Sequence, residues 1–173
     1  MSQIHQIQFQ FRAIEDRLIL KINTTSKEEF VFLLTRRFVS LLYPILTKIL
    51  HGHESVVNQN DQIRKEMISL QQQEAMQKTN TDKAYESKEF SHPLGNQPIL
   101  LAKISTAKKN NSYQLTLEPE KGKGISFTME YKLVHILRHL LLDSLEKADW
   151  QLGYKRELVP TQQTPHSGKE YLH

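Results

Sequence analysis

His135 and His139 stand four residues apart, with Glu146 on the same helical line. Two imidazoles one turn apart are a spacing that a divalent metal can use. The residues between them are Ile136, Leu137 and Arg138, so the glutamate of a metalloprotease helix is missing. Measured from Leu137, the centre of the apolar stripe, the two rings fall roughly 160° and 200° away at 100° per residue. That direction is outward, and it predicts solvated side chains. His51-Gly52-His53 follows a helix end, where a histidine complements the dipole without a metal. The chain contains no cysteine, which removes thiolate metal sites and disulfides. The Gly122-Lys123-Gly124 triplet lies between two predicted strands, not ahead of a helix, and lacks the spacing of a phosphate loop. No Ser–His–Asp set has local support. The sequence therefore assigns no catalytic residue, no metal and no cofactor.

The cations are more informative. Arg36 and Arg37 open a predicted helix, where positive charge opposes the macrodipole. An anion held by the free amides and both guanidinium groups would offset that cost. An internal acid, Glu28, Glu29 or one on a neighbouring strand, would serve as well, and this is the favoured reading. Lys103, Lys108 and Lys109, with Lys121 and Lys123, gather on strands and turns of the second half. Single-stranded nucleic acid is bound by such charges interleaved with exposed aromatics. Tyr113 and Phe127 fall instead on the buried parity, so a solubilising set of loop lysines is the default.

The elements that position these residues follow from the apolar periods. Ile7, Phe9 and Phe11 alternate within a first strand, Gln3 to Arg12; Leu18, Leu20 and Ile22 line a second; Phe30 to Leu34 is apolar on both faces. Thr35 caps a helix with the stripe Phe38, Leu42, Ile45, Leu46 and Ile49, and Pro44 inside it predicts a kink or a break. Asn60 or Asp61 caps a helix to about Lys78, with a thin stripe of Ile63, Met67 and Leu70. Residues 79–90 read as an exposed loop. Ile99 to Ile104, Tyr113 to Leu117 and Ile125 to Met129 are three further strands, and a helix from about Tyr131 to Trp150 closes the pattern.

The two halves echo each other at an offset of 95 residues, Phe32 to Phe127. At that offset Leu20 meets Leu115, Ile22 meets Leu117, Leu42 meets Leu137 and Leu46 meets Leu141. The predicted fold is α+β: two tandem β-β-β-α units forming an antiparallel sheet with helices on one face, plus a connector helix. One shared-core domain would comprise a first half at 1–50, a connector at 51–97, a second half at 98–150 and a disordered tail at 151–173.

With 38% hydrophobic and 24% charged residues, the composition is that of an ordinary globular domain. The first ten residues carry no apolar signal core. The longest apolar stretch, Phe38 to Leu46, is too short to span a bilayer, so no membrane partner is expected. A formal charge of +4 permits an anionic partner without requiring one.

The segments EDRLILKINT (15–24), EEFVFLLTRR (28–37), PLGNQPILLAKI (93–104), GKGISFTME (122–130) and ADWQL (148–152) resemble a family of uncharacterised bacterial proteins. Leu34-Thr35-Arg36-Arg37 directly after a strand is the most specific piece. The resemblance implies a bacterial, cytoplasmic protein and adds no catalytic residue. At fold level the doubled unit is similar to Whirly and PUR single-strand-binding repeats, which carry four strands per unit where three are predicted here. Leu142 and Trp150 share the outer side of the last helix, and their size there predicts contact with the connector helix or a partner chain. The leading expectation is a non-enzymatic, homodimeric interaction module using Met67, Leu70, Leu142 and Trp150. The alternative is a single-stranded nucleic-acid-binding module using Arg36, Arg37, Lys103, Lys108 and Lys109.

Overall fold

The computed structural model describes residues 3–53, 55–77 and 90–154. The alternating segment at the start forms β1 (Ile4–Arg12). A 3-10 turn and Asp16, at φ 49°, reverse the chain into β2 (Arg17–Thr24), and Lys27, at φ 57°, marks the reversal into β3 (Glu29–Leu34). The Thr35 hydroxyl then accepts the Phe38 N–H and starts α1 (Arg36–His51). Asn60 caps α2 (Asp61–Gln77) by accepting the Ile63 N–H at 2.9 Å. The second half supplies β4 (Ile99–Lys109), β5 (Ser112–Pro119) and β6 (Ile125–Glu130), and α3 (Tyr131–Ala148) follows β6 without a loop. The loop predicted at 79–90 falls almost wholly outside the described residues, as does the tail beyond Tyr154.

The class is α+β, with a six-stranded sheet in the order β1-β2-β3-β4-β5-β6. The sheet is mixed, not antiparallel as expected. β3 and β4 run parallel, in register at Phe32 with Ile99 and Leu33 with Leu100. The physical reason is the crossover: a strand that returns after intervening helices enters alongside its neighbour in the same direction, whereas a tight turn forces reversal.

Leu18, Leu20, Ile22, Phe32, Leu34, Leu115, Leu117 and Met129 are buried on one side of the sheet, in one cluster with Leu42 and Leu46 of α1 and Val134, Leu137 and Leu141 of α3. A bulge in β4 between Leu101 and Lys103 changes parity, so that Leu101 before it and Ile104 after it both reach this cluster. α3 packs across α1 and reaches β1, while α1 lies against β4. Each long helix thus bridges to strands of the other half.

Pro44 does not break α1, which runs unbroken from Arg36 to His51. Without an N–H, Pro44 leaves the Ser40 carbonyl short of its helical donor. The Tyr154 hydroxyl lies 3.4 Å from that carbonyl, and the Tyr154 ring stacks on Tyr43 at 4.0 Å. Residues 151–154, expected to begin a disordered tail, are therefore docked, and burial raises the Tyr154 pKa.

Gly124 enters β6 against the end of β5. A Cβ there would lie 2.0 Å from the Leu117 carbonyl oxygen and 2.8 Å from the Glu118 Cα, both backbone atoms. Gly124→Ala is expected to destabilise the fold by about 2–4 kcal/mol, because the two strands must separate to admit the methyl group. Urea unfolding followed by circular dichroism measures the shift, and an unchanged midpoint would show that the strand ends are not held this closely.

Candidate functional site

The predicted cations are not gathered into one patch. Arg36 forms a two-pronged ion pair with Asp16, Nε to Oδ2 at 2.8 Å and Nη2 to Oδ1 at 3.0 Å. Its guanidinium also lies 5.3 Å from the Trp150 ring centroid, and the indole N–H donates to Asp16 Oδ1 at 2.7 Å. The Arg36 hydrogen bond, then the Trp150 one, holds the Asp16 carboxyl below the usual aspartate range. The internal acid is thus Asp16, in the β1–β2 turn, in place of Glu28 or Glu29. Arg37 is exposed beside it. Lys103 faces Glu118 on the side of the sheet away from the core, Lys108 is paired with Tyr113 on the core side, and Lys109 sits opposite Ser112 at the hairpin end. Lys109 also borders a groove of about 470 Å³ with Asn110, Asn111, Ser112, Glu130, Tyr131 and Lys132.

Two of the expected partner-interface residues have no surface to offer a partner. Leu142 is 3% and Trp150 5% exposed, Trp150 with its ring edge-on to Phe11 at 6.1 Å. These contacts are made within the chain. Met67 is half-buried against the core, and Leu70 is 56% exposed.

The largest departure from expectation is at His135. Its ring was expected to face solvent, yet the residue is 1% exposed, because α2 lies over that side of α3. The helical angle was sound, but a 360° projection of α3 alone carries no information about a second helix covering its outer face. The seam between α2 and α3 is largely polar. Gln72 Nε2 lies 3.0 Å from His139 Nδ1, and His139 Nε2 lies 3.5 Å from Asp143. The Tyr131 hydroxyl lies 3.2 Å from the Leu50 carbonyl and 3.1 Å from Gln71 Oε1. His53 stacks on Tyr131 at 3.7 Å, and the Tyr131 ring meets His135 edge-on at 4.7 Å.

Neither ring nitrogen of His135 has a hydrogen-bond partner among the described residues. The ring borders a cavity of about 190 Å³ between α2 and α3, lined also by Gln71, Glu74, Ala75, Tyr131 and Lys132. Burial, followed by the charges of Arg138 and His53, lowers the His135 pKa to about 4. At neutral pH this imidazole is uncharged and offers one donor and one acceptor. Arg138, 2% exposed, donates from Nη2 to the Tyr43 hydroxyl at 3.0 Å and lies over that ring at 5.3 Å. The sequence reading passed over Arg138. A charged residue set among Ile136, Leu137 and Leu140 was the available signal, since arginine is rarely placed there unless paired. Among the described residues no group of three or more metal-capable side chains comes together, and no helix is long and apolar enough to cross a membrane.

The depressed His135 pKa makes folding pH-dependent. Between the unfolded value of 6.5 and about 4, the unfolded chain binds the proton that the folded chain excludes. Stability contributed by the neutral ring is therefore complete above pH 6.5 and is lost as pH falls toward 4. The loss attributable to this residue is of order 2–3 kcal/mol at most. Urea midpoints measured from pH 7 to pH 4 should fall in the native protein and fall less in His135→Leu; parallel profiles for the two proteins would refute the assignment.

Comparison with protein-family models, with curated proteins and with solved structures finds no match.

Proposed function

We propose that the protein is a non-enzymatic interaction module that self-associates, with a second copy seated on the open face of its sheet. The observation that carries this reading is a group of aliphatic side chains on the side opposite the helices. Ile19 is paired with Leu33, and Leu33 with Leu100, in a row across β2, β3 and β4, with Val31 two residues along. None of the four belongs to the buried core; Leu100 is 43% exposed and the other three are partly exposed. An aliphatic cluster at the centre of a sheet, ringed by polar residues such as Gln10, Lys21, Thr116 and Ser126, has the anatomy of a protein interface.

The chemistry of that face favours a second copy over nucleic acid. The strand aromatics Phe9, Phe11, Phe32 and Phe127 belong to the core side, which leaves no stacking platform beside the aliphatic row. Arg36 is engaged by Asp16. Strand spacings of ~4.8 Å and residue rises of ~3.3 Å give six strands a face of roughly 600 Å² in projection. A standard interface buries ~800 Å² per partner, so the face with its rim is of the right size.

The two halves are proposed to be copies of one β-β-β-α unit. Support comes from register. Leu20 pairs with Phe32 as Leu115 pairs with Phe127, and Ile22 pairs with Phe30 as Leu117 pairs with Ile125, each at the 95-residue offset. Tyr43 and Arg138, hydrogen-bonded across α1 and α3, are also 95 apart.

Light scattering coupled to gel filtration tests the reading. The full chain is expected at about twice 20.3 kDa over a concentration series, and Leu33→Lys/Leu100→Lys at 20.3 kDa with an unchanged circular dichroism spectrum. A native protein that stays monomeric throughout would overturn self-association. Dissociation by Leu70→Glu in place of the sheet variant would move the interface to α2 and overturn the sheet-face assignment.

A further inference from the structure

We infer that the free edge of β4 takes up an extended acidic segment of a partner protein as an added strand. β3 pairs with β4 only at Phe32–Ile99 and Leu33–Leu100, then leaves the sheet at Thr35 to begin α1. β4 continues to Lys109, bonded on its other side to β5. Beyond Leu100, no described strand lies on the β3 side of β4. Every residue from Ala102 to Lys109 except Ile104 is exposed. The line of β3 is thus continued by a notch, one wall of which is strand backbone with no neighbouring strand.

The hairpin determines which backbone groups face the notch. Lys109 and Ser112 flank a two-residue turn, Asn110-Asn111, with Asn110 at φ 49°. In such a hairpin the flanking pair exchanges both hydrogen bonds, and bonded and non-bonded pairs then alternate. Lys103, Ser105, Ala107 and Lys109 thus bond to β5, while Ile104, Thr106 and Lys108 turn their N–H and C=O groups outward. Such a row is a template for an incoming strand. The two outer edges of the sheet are less open. α3 packs against β1, and β6 is six residues long and runs directly into α3.

Charge decides the occupant. By strand parity Lys103 and Lys109 lie on the open face of the sheet, and Lys108 lies on the core side with Ile104 and Thr106. Side chains of a neighbouring strand stand ~5 Å from these. A strand with acids on the open side and aliphatic residues on the other matches both rows. A second copy is a poor fit, because antiparallel pairing of two β4 edges about Thr106 sets Lys103 against Lys109, like charges that repel. The chain's own segments outside the described residues offer no better match: 78–89 carries three basic and three acidic residues, and 155–173 three basic and two acidic. Nucleic acid has no backbone amides to complete the row, and Tyr113, the aromatic opposite Lys108, packs against the core instead of offering a stacking surface.

Fluorescence anisotropy on the full chain tests the notch, with a labelled eight-residue peptide that alternates glutamate and valine. Saturable binding is expected, at least tenfold tighter than for the same peptide with lysine in place of glutamate, or for one N-methylated at every residue, which has no N–H left to pair. Lys109→Glu and Thr106→Pro should each weaken binding tenfold or more, the first by charge and the second by removing an outward N–H that makes no bond to β5. Should Thr106→Pro fail to fold, Lys109→Glu and the methylated peptide still decide the matter. Amide hydrogen exchange gives the location: the Thr106 N–H should exchange freely in the protein alone and become protected when peptide binds. No binding at millimolar peptide would overturn the proposal, as would equal binding of the methylated peptide or tighter binding of an oligodeoxythymidine. Protection of Thr106 before peptide is added would also overturn it, by showing the edge already taken by the chain itself or by a second copy. Lys109→Glu is expected to keep the native mass in light scattering, so the edge proposal and self-association fail independently.

Discussion

The parallel contact between β3 and β4 is the joint on which the remainder of the fold depends. It is short, two register pairs at Phe32–Ile99 and Leu33–Leu100, yet it turns two three-stranded meanders into one six-stranded sheet. Parallel neighbours cannot be joined by a hairpin, so a crossover must separate them. α1 and α2 lie in that crossover. Because α1 leaves β3 and α3 leaves β6 in the same strand direction, the two helices land on one side and share a single apolar cluster. Neither half could bury its helix as well alone: α3 reaches β1, and α1 covers β4. Small units with one apolar face gain stability in this way by merging their cores.

The same arrangement explains why the C-terminal end of the described chain is ordered. α3 delivers Trp150 to the β1–β2 turn, where its indole N–H and the Arg36 guanidinium share the Asp16 carboxylate. Four residues later Tyr154 reaches the Ser40 carbonyl that Pro44 leaves unserved. An apparent defect inside α1 is therefore a docking point for the segment after α3. The Arg36 pair is half-exposed and screened by solvent, so its role is to fix geometry more than to stabilise.

The strands and the two long helices were legible in the sequence because each carries a clear period. Leu18-Leu20-Ile22 and Leu115-Leu117 alternate, and Leu42-Leu46 and Leu137-Leu141 recur at helical spacing. The direction of β4 was not legible, since a strand apolar on both faces reads the same in either sense. α2 was legible as a helix, but its docking face was misjudged. Ile63, Met67 and Leu70 make the more visible stripe, whereas Ile68, Ser69 and Ala75 are the residues buried. Relative to Leu70, Ile68 and Ala75 lie roughly 140–160° around the helix. A face built from one isoleucine, a serine, an alanine and hydrogen-bonding glutamines has no hydrophobic period to detect. The candidate site was hidden for a related reason: His135 and Arg138 are polar residues of α3 whose burial comes from other helices, α2 over His135 and Tyr43 of α1 against Arg138.

That polar seam also sets how α2 can behave. α1 and α3 are held by large aliphatic side chains whose removal from contact would expose the core. α2 is held by Ile68, Met67 and Ala75, few and mostly small next to the stripes of α1 and α3, and by amide, phenol and imidazole contacts that water can replace at little net cost. Elements with few buried apolar contacts open at lower free energy than the global transition. Movement of α2 would therefore uncover His135 at the cost of exposing Ile68 and Met67, its contributions to the shared apolar cluster. A neutral, buried imidazole is costly in a wholly apolar seam and less so in one lined by amide, phenol and imidazole groups.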